Sequence, residues 1–405
     1  MKKFDVIIAG GSASGLAAAI SAKRQHPDYS VAVLEKLPRV GKKILATGNG
    51  RCNLTNINAA GSAYNAPDFV APCFEKYGPA FVTDFFRGLG LVTCADSEGR
   101  VYPRSNAAAS VLDALRYECE KSGIEIITDC PVTSAVKTAD GFTVNGGYFC
   151  RYLVLACGGK ASPSQGSDGS GYDIAKKLGH RITPLYPALV PLNSRPELVK
   201  SLKGIRAADV AISIVADDEE YGSSKGEILF TETGISGICA MELASCAEKL
   251  MRRGLDPYAA VDFAPFMTLN ELKDYLEDTV SARLGMPQEH LLTGLFPKPL
   301  GVHFLKAAGI YRGGGEIEEM SGNMIEILAG EIKCAQFPVT GTRGFQNAQV
   351  TAGGVSRDEI NPATLASKTV PGLYFCGEIT DVDGPCGGYN LQWAFASGFL
   401  AGGLG

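Results

Sequence analysis

Phe4-Asp5-Val6-Ile7-Ile8-Ala9-Gly10-Gly11-Ser12-Ala13-Ser14-Gly15 is the stretch that decides the fold of this chain. Val6, Ile7 and Ile8 form a short β-branched apolar run, the pattern of a strand buried on both faces. The run passes through small residues into Leu16-Ala17-Ala18-Ala19-Ile20, a strong helix former. Strand, glycine-rich turn and helix in that order aim unpaired backbone N–H groups and the positive end of a helix dipole at one spot. Such a spot suits a pyrophosphate.

The spacing Gly10-x-Ser12-x-x-Gly15 is the dinucleotide fingerprint with serine at the second glycine position. Ser12 narrows the approach of backbone to phosphate, while its hydroxyl can itself donate to phosphate. Ser30-Val31-Ala32-Val33-Leu34-Glu35 supplies a second strand, ending in an acid twenty residues after Gly15. A carboxylate there accepts from the ribose hydroxyls of an adenine nucleotide.

Composition sets the outer bounds. With 405 residues, 45% hydrophobic and 20% charged, the chain has the makeup of a soluble enzyme of two or three domains. A net charge of −5 gives no electrostatic footprint for nucleic acid. The apolar run after Met1-Lys2-Lys3 is too short for a signal-peptide core, and no stretch approaches the roughly 20 apolar residues of a membrane helix. The twelve cysteines are scattered without a C-x-x-C pair, which argues for reduced thiols in a cytoplasm. His26, His180, His290 and His303 are isolated from one another, so no metal site is expected.

Further along, Gly41-Lys42-Lys43 through Gly48-Asn49-Gly50-Arg51-Cys52-Asn53-Leu54-Thr55-Asn56 reads as an ordered loop over a ligand. Helices are expected at 79–89 and 106–122, the second capped by Asn106 and stopped by Gly123. Short strands are expected at 124–128, 132–137, 141–145 and 152–156, with a helix ending near Leu178. From 187 the character changes. Strands at 210–216, 227–230 and 260–264 mix with helical patterns at 236–252, 268–284, 298–309 and 316–329, and no second nucleotide fingerprint occurs. This segment, 187–335, reads as a domain inserted between 1–186 and 336–405. The chain then returns to the first pattern with strands at 348–355 and 372–378. Gly387-Gly388-Tyr389-Asn390-Leu391-Gln392-Trp393 opens a C-terminal helix.

Two glycine-rich helix N-termini, one at each end of the chain, can serve two ends of one long ligand. The second could face a group that gains negative charge during reaction, as the N1/O2 edge of a reduced flavin does. Glu378, at a strand tip, could accept from ribityl hydroxyls. This return at the C-terminus favours FAD over NAD as the tightly held cofactor.

The chain resembles a flavoprotein family of FAD-dependent oxidoreductases of the aminoacetone-oxidase or bile-acid-reductase type. The resemblance rests on Gly10 to Gly15, Gly48 to Asn56, Pro187 to Leu192, Gly226 to Thr231 and nearly all of 347–398. It implies an α/β fold: a Rossmann-like FAD-binding domain interrupted by an inserted β-barrel with a helical cap. The cofactor-binding set it implies is Gly10, Ser12, Ala13, Ser14, Gly15, Glu35, Lys36, Lys42, Arg51, Cys52, Asn53, the backbone near Val132 and Gly158, Gly377, Glu378 or Asp381, and Gly388, Tyr389, Asn390 and Leu391. Three positions depart from the family pattern: Ser12, Ser170 where Asp is common, and Glu232 where relatives often carry His.

For the reaction, NADH or NADPH is expected to reduce the flavin transiently, and the flavin to reduce an activated C=C such as an enone of a steroid or bile-acid-like substrate. The alternatives are a flavin oxidase of a small amine or amino ketone using O2, and a flavin-bearing non-catalytic or RNA-associated protein. Arg51, Cys52 and Tyr389 are the candidate catalytic residues, with Arg104 behind them. Arg51 beside Cys52 could lower the thiol pKa or bind a carboxylate substrate. Neither a nucleic-acid nor a membrane partner is expected, and the oligomeric state is not readable.

Overall fold

In the computed structural model, which describes residues 1–405, Lys2–Ala9 is the middle of a parallel sheet. It pairs with Val31–Leu34 on one side and with Tyr148–Leu155 on the other. Glu125–Ile127 lies beyond Val31–Leu34, and Leu373–Phe375 pairs with Tyr148–Leu155, both in parallel. Phe142–Val144 and Ala135–Lys137 continue the sheet antiparallel. Val6, Ile7, Ile8, Val33 and Leu153 are fully buried, which is why these strands read as unbroken apolar runs.

The opening helix, Ala13–Gln25, is buried from Ala13 through Ala22. It is covered by the closing helix Tyr389–Gly402. Gly398 and Gly402 share one face of that helix, and a Cβ there would come within 2.4 Å of the Ser14 carbonyl oxygen and 2.3 Å of that of Ala18. Ser21 adds a hydrogen bond from its hydroxyl to the Phe399 carbonyl at 2.7 Å. The two helices therefore meet backbone to backbone, and only glycine permits it at 398 and 402.

A three-stranded antiparallel sheet, Thr55–Asn56, Arg100–Pro103 and Thr93–Ala95, anchors the end of the 47–56 loop. These elements belong to the first of two compact units, Met1–Tyr186 with Gln349–Gly405; the second is Pro187–Ala348. No helix is long and apolar enough to cross a membrane.

The second unit is built on a seven-stranded sheet in the order Ala335–Pro338, Tyr258–Asp262, Arg206–Ala216, Glu219–Phe230, Gly234–Ser236, Leu192–Asn193, Gly341–Thr342. All its pairings are antiparallel. Asp217 and Asp218, both at positive φ, form the two-residue turn of its longest hairpin. Phe230, Phe263, Phe296, Phe304 and Phe337 fill its core. Helices Leu269–Ala282, Lys298–Ala307 and Gly322–Lys333 pack together in this unit, the first opened by a capping box between Thr268 and Glu271. His303 stacks on Phe337 and acts as packing.

Several expectations shift. The second unit runs to Ala348 rather than 335, because 335–338 and 341–342 are strands of its own sheet. The helix expected at 236–252 is broken at Leu243, between Ile238–Glu242 and Ala244–Arg252, after a strand that takes 234–236. Asn106 does not cap the helix Ala108–Lys121: it sits at φ 53 two residues before the start, and Ala107 holds the cap position. The helix expected at 316–329 runs instead over 322–333, where the Ser321 hydroxyl accepts from Met324 N. Pro67–Tyr77 is a helix that no periodicity announced.

Candidate cofactor site

Gly10 takes φ 109, and a Cβ on it would lie 2.5 Å from the Ala156 carbonyl; a Cβ on Gly15 would lie 1.8 Å from the Gly10 carbonyl. Strand, turn and helix thus close so tightly that neither glycine could carry a side chain. Ser12 holds the helix N-cap in an extended conformation without spending its hydroxyl on the cap. By helix geometry the first-turn N–H groups, those of Ala13, Ser14 and Gly15, have no intrahelical acceptor. Ala13 and Ser14 are buried, and Ser14 touches Gly377 across the turn.

Glu35 is buried at the end of its strand. One carboxylate oxygen accepts from Gly11 N and the other from Leu37 N, both at 2.8 Å. A carboxylate has about four acceptor sites, so the ribose-facing capacity remains while the backbone fixes the aim. Cys130 N donates to the Glu35 carbonyl at 2.9 Å. That bond sets the loop carrying Val132 beside this end, and Asn145 ties the loop backbone through Thr133 and Ser134.

Lys36 and Lys42 are already engaged. Lys36 pairs with Asp168 at 2.8 Å, and Lys42 donates to the Ser164 carbonyl at 2.7 Å. Burial would raise the Asp168 carboxyl, but the Lys36 ammonium together with the hydroxyl and amide of Ser170 outweighs it and holds the group at about 2. Gly158, at φ 71, backs onto the Ser167 hydroxyl of the same loop.

The loop 47–53 and the start of the closing helix form the other end. Gly48, Asn49, Gly50 and Cys52 all take positive φ, a concentration of costly backbone that belongs at functional sites. Thr55 donates from its hydroxyl to Gln392 Oε1 at 2.7 Å, and Asn56 Nδ2 donates to the Gly387 carbonyl at 3.0 Å. Tyr64 donates to the Tyr389 carbonyl at 2.7 Å. Gly388, at φ 103, is pressed so close that a Cβ would lie 2.4 Å from the Thr55 carbonyl and 2.8 Å from Asn53 Oδ1. Asn53 is buried, and its Oδ1 has no hydrogen-bond partner in the protein. The 47–56 loop and the start of the closing helix, both singled out in the sequence, are thereby brought together.

Other expected residues take different parts. Asn390 spends its side chain on the preceding loop, accepting from Gly384 N and donating to the carbonyls of Gly384 and Pro385. It shapes the loop, and the helix N-terminus around Tyr389 and Leu391 is what can meet a charge. Glu378 accepts from Lys43 Nζ at 2.7 Å and from Thr351 N at 2.9 Å, so half of its acceptor capacity is used within the protein. Gly377 is fixed by Ser397, whose hydroxyl accepts from its N–H. Asp381 lies 3.7 Å from Arg357. Lys43, Thr351 and Gln392 were not singled out in the sequence. Lys43 is indistinguishable there from its neighbour Lys42; Gln392 meets the distant Thr55, and the Thr351 hydroxyl accepts from the equally distant Lys160 N and Ala161 N.

Among the catalytic candidates, Cys52 is buried, and that burial pushes its thiol up to about 12 against a lowering contact from Thr47. It is a neutral packing group, which corrects the reading of a lowered pKa beside Arg51. Arg51 is exposed, its guanidinium lying over the Tyr102 ring at 4.5 Å and its Nε donating to Gly48 O. Arg104 is exposed at the surface end of its strand.

These residues fit FAD. The cradle at Gly10 and Gly15, the aimed Glu35, and a buried oxygen without a donor beside a second helix N-terminus match a dinucleotide carrying a polar ring.

The chain is 39% identical over 400 residues to the 3-dehydro-bile acid delta(4,6)-reductase of Clostridium scindens, covering 98% of this chain and 97% of that protein. It is 29% identical over 407 residues to the ribosomal RNA dihydrouridine synthase of Escherichia coli, covering 98% and 96%. The 3-ketosteroid delta1-dehydrogenase of Sterolibacterium denitrificans superposes over 99% of both chains with a TM-score of 0.51 at 14% identity, a likeness of fold. The family described as HI0933-like protein Rossmann domain matches residues 4–404. The chain therefore belongs to the HI0933-like Rossmann-domain family of FAD-dependent oxidoreductases.

Proposed function

We propose that this chain is an NAD(P)H-linked FAD enzyme that reduces a C=C conjugated to a carbonyl, in a steroid- or bile-acid-like acid. The observation that carries this reading is the 39% identity, end to end, with a bile acid delta(4,6)-reductase. Bound FAD would supply a two-electron carrier between the nicotinamide donor and the double bond. Glu35 would hold the adenosine ribose, and the N–H groups of residues 12–15 the pyrophosphate. The N-terminus of the helix Tyr389–Gly402 would stabilise negative charge at the far end. Arg51, fixed over Tyr102 and open to solvent, is the group suited to a substrate carboxylate. With no second fingerprint in the sequence, the nicotinamide donor would visit without a domain of its own.

The experiment is an anaerobic titration. NADH or NADPH should bleach the flavin, and a 3-oxo-Δ4 bile acid should restore its colour. Bleaching by a small amine in place of either nicotinamide would instead indicate the oxidase alternative.

A second reading has its own support in the full-length similarity to ribosomal RNA dihydrouridine synthase. Uracil carries a C=C conjugated to a carbonyl, so the same chemistry would serve. Against it stand exposed acids on the second unit: Asp217 to Glu220, and Glu271, Asp274, Glu277 and Asp278 on one helix. These would repel a phosphate backbone. Dihydrouridine formed in rRNA by the purified protein would decide for this reading.

A further inference from the structure

Ser194, on the second unit, is 5% exposed, and its hydroxyl has no hydrogen-bond partner in the protein. Buried polar groups in folded proteins ordinarily have partners, so this one points to a ligand. Its backbone N–H donates to the Thr233 carbonyl at 2.9 Å, which sets the two residues side by side. Glu232 and Thr233 are the central residues of the tight turn between the strands Glu219–Phe230 and Gly234–Ser236. Thr231 N closes that turn by donating to the Gly234 carbonyl at 2.8 Å.

Two cations hold the turn from other parts of the unit. Arg343 Nη2 donates to the Thr233 hydroxyl at 3.1 Å. The Arg343 backbone is itself pinned: its N–H donates to the Pro191 carbonyl at 3.1 Å, and its carbonyl accepts from Asn347 Nδ2 at 3.0 Å. Lys203 Nζ pairs with Glu232 at 3.0 Å, and Lys203, with Lys200 behind it, holds that carboxyl below its ordinary value. Arg343 is exposed and pairs with no carboxylate. Three cations therefore meet a turn that carries one acid.

The remaining N–H groups of the guanidinium and the protons of the Ser194 and Thr233 hydroxyls are free for a ligand. A neutral group would leave the excess positive charge unmet, and a carboxylate offers only two coplanar oxygens. A phosphate monoester offers three strong acceptor oxygens and close to two negative charges. A nicotinamide donor carries that group in one form only: NADPH bears a phosphate on the adenosine ribose 2′ oxygen, where NADH has a hydroxyl.

We propose that Ser194, Thr233 and Arg343, backed by Lys200 and Lys203, bind the 2′-phosphate of NADPH and select it over NADH as electron donor. The assignment rests on the NAD(P)H-linked reading above. It gives a foothold on the second unit to a donor for which the sequence holds no second fingerprint.

The FAD-loaded full chain is mixed anaerobically with increasing NADPH or NADH, and the concentration giving half the maximal rate of flavin bleaching is read for each. Adenosine 2′,5′-bisphosphate and 5′-AMP, which differ only in the 2′-phosphate, are titrated into the same protein by calorimetry. NADPH should reach half-maximal bleaching at a concentration about tenfold or more below that of NADH, and the bisphosphate should bind tighter than 5′-AMP by a similar factor. Arg343→Met should bring both ratios towards one. Ser194→Ala, which removes no hydrogen bond within the protein, should lower them about threefold. Equal half-maximal concentrations for the two donors, with the bisphosphate bound no tighter than 5′-AMP, overturn the assignment alone and leave the donor reading standing. Discrimination that survives Arg343→Met unchanged also overturns it. No bleaching by either nucleotide contradicts the NAD(P)H-linked reading and overturns this assignment with it.

Discussion

Gly398 sits directly on Ser14: a Cβ at 398 would fall 2.4 Å from the Ser14 carbonyl oxygen and 2.9 Å from the Ala17 Cβ. The contact joins the first helix of the chain to the last, so the cradle at Gly10–Gly15 depends on residues nearly 400 positions away. Gly398→Ala forces the helices apart and should destabilise the protein by about 1–3 kcal/mol. Urea unfolding measures it, and the variant should also release FAD more readily. An unchanged midpoint would mean that the helices are not in backbone contact.

The ion pair between Lys43 and Glu378 should couple strongly. Both side chains are largely shielded, and Glu378 also accepts from Thr351 N. Lys43→Met leaves the carboxylate without its cation and should cost about 1–3 kcal/mol. Adding Glu378→Gln should recover part of that loss. A double-mutant cycle in urea checks it, and additive losses would show that the pair does not interact.

Cys52 should be chemically silent. Its ordinary value of 9.0 is pushed up to about 12 by burial, so at pH 7 the folded protein holds a neutral thiol. Iodoacetamide should leave it unmodified until the chain unfolds, and Cys52→Ala should keep the rate of flavin reduction within about twofold, since a neutral packing group lends no general-acid or thiolate chemistry. The folded state holds this proton more tightly than the unfolded one. Its contribution to stability is therefore complete below about pH 9 and lost as the pH rises towards 12.

Asp168 behaves in the opposite sense. Its carboxyl is lowered to about 2 by Lys36 and Ser170, so its contribution is present above about pH 4 and lost as the pH falls towards 2. The side chain is half exposed, which keeps the effect small. Asp168→Asn should flatten the acid limb of the stability curve between those values, measured by thermal unfolding against pH.

The cradle was legible in the sequence because it is local: Val6 to Gly15 and Glu35 carry strand, turn and acid within a single βαβ unit. The meeting of Thr55 with Gln392 and of Lys43 with Glu378 was not, since each joins residues over 330 positions apart. The sequence offers Glu378 as an acceptor for ribityl hydroxyls, yet could not show that Lys43 and Thr351 already occupy part of it. The helix Pro67–Tyr77 was hidden by Pro67 and Pro72, which usually mark breaks; Pro67 stands in the first turn, where its missing N–H costs nothing. Asn106 has the residue type of a cap but takes a left-handed conformation that Asn tolerates and the cap does not use.

Stoichiometric uptake of FAD tests most directly whether one flavin spans the opening turn and the closing helix. The purified chain is incubated with FAD, freed of excess by gel filtration, and its flavin absorbance read against protein. One FAD per chain is predicted, with loss of binding in both Gly15→Val and Gly388→Val, one at each end. A chain that stays colourless, or one that binds FAD equally well with either glycine replaced, would contradict the account.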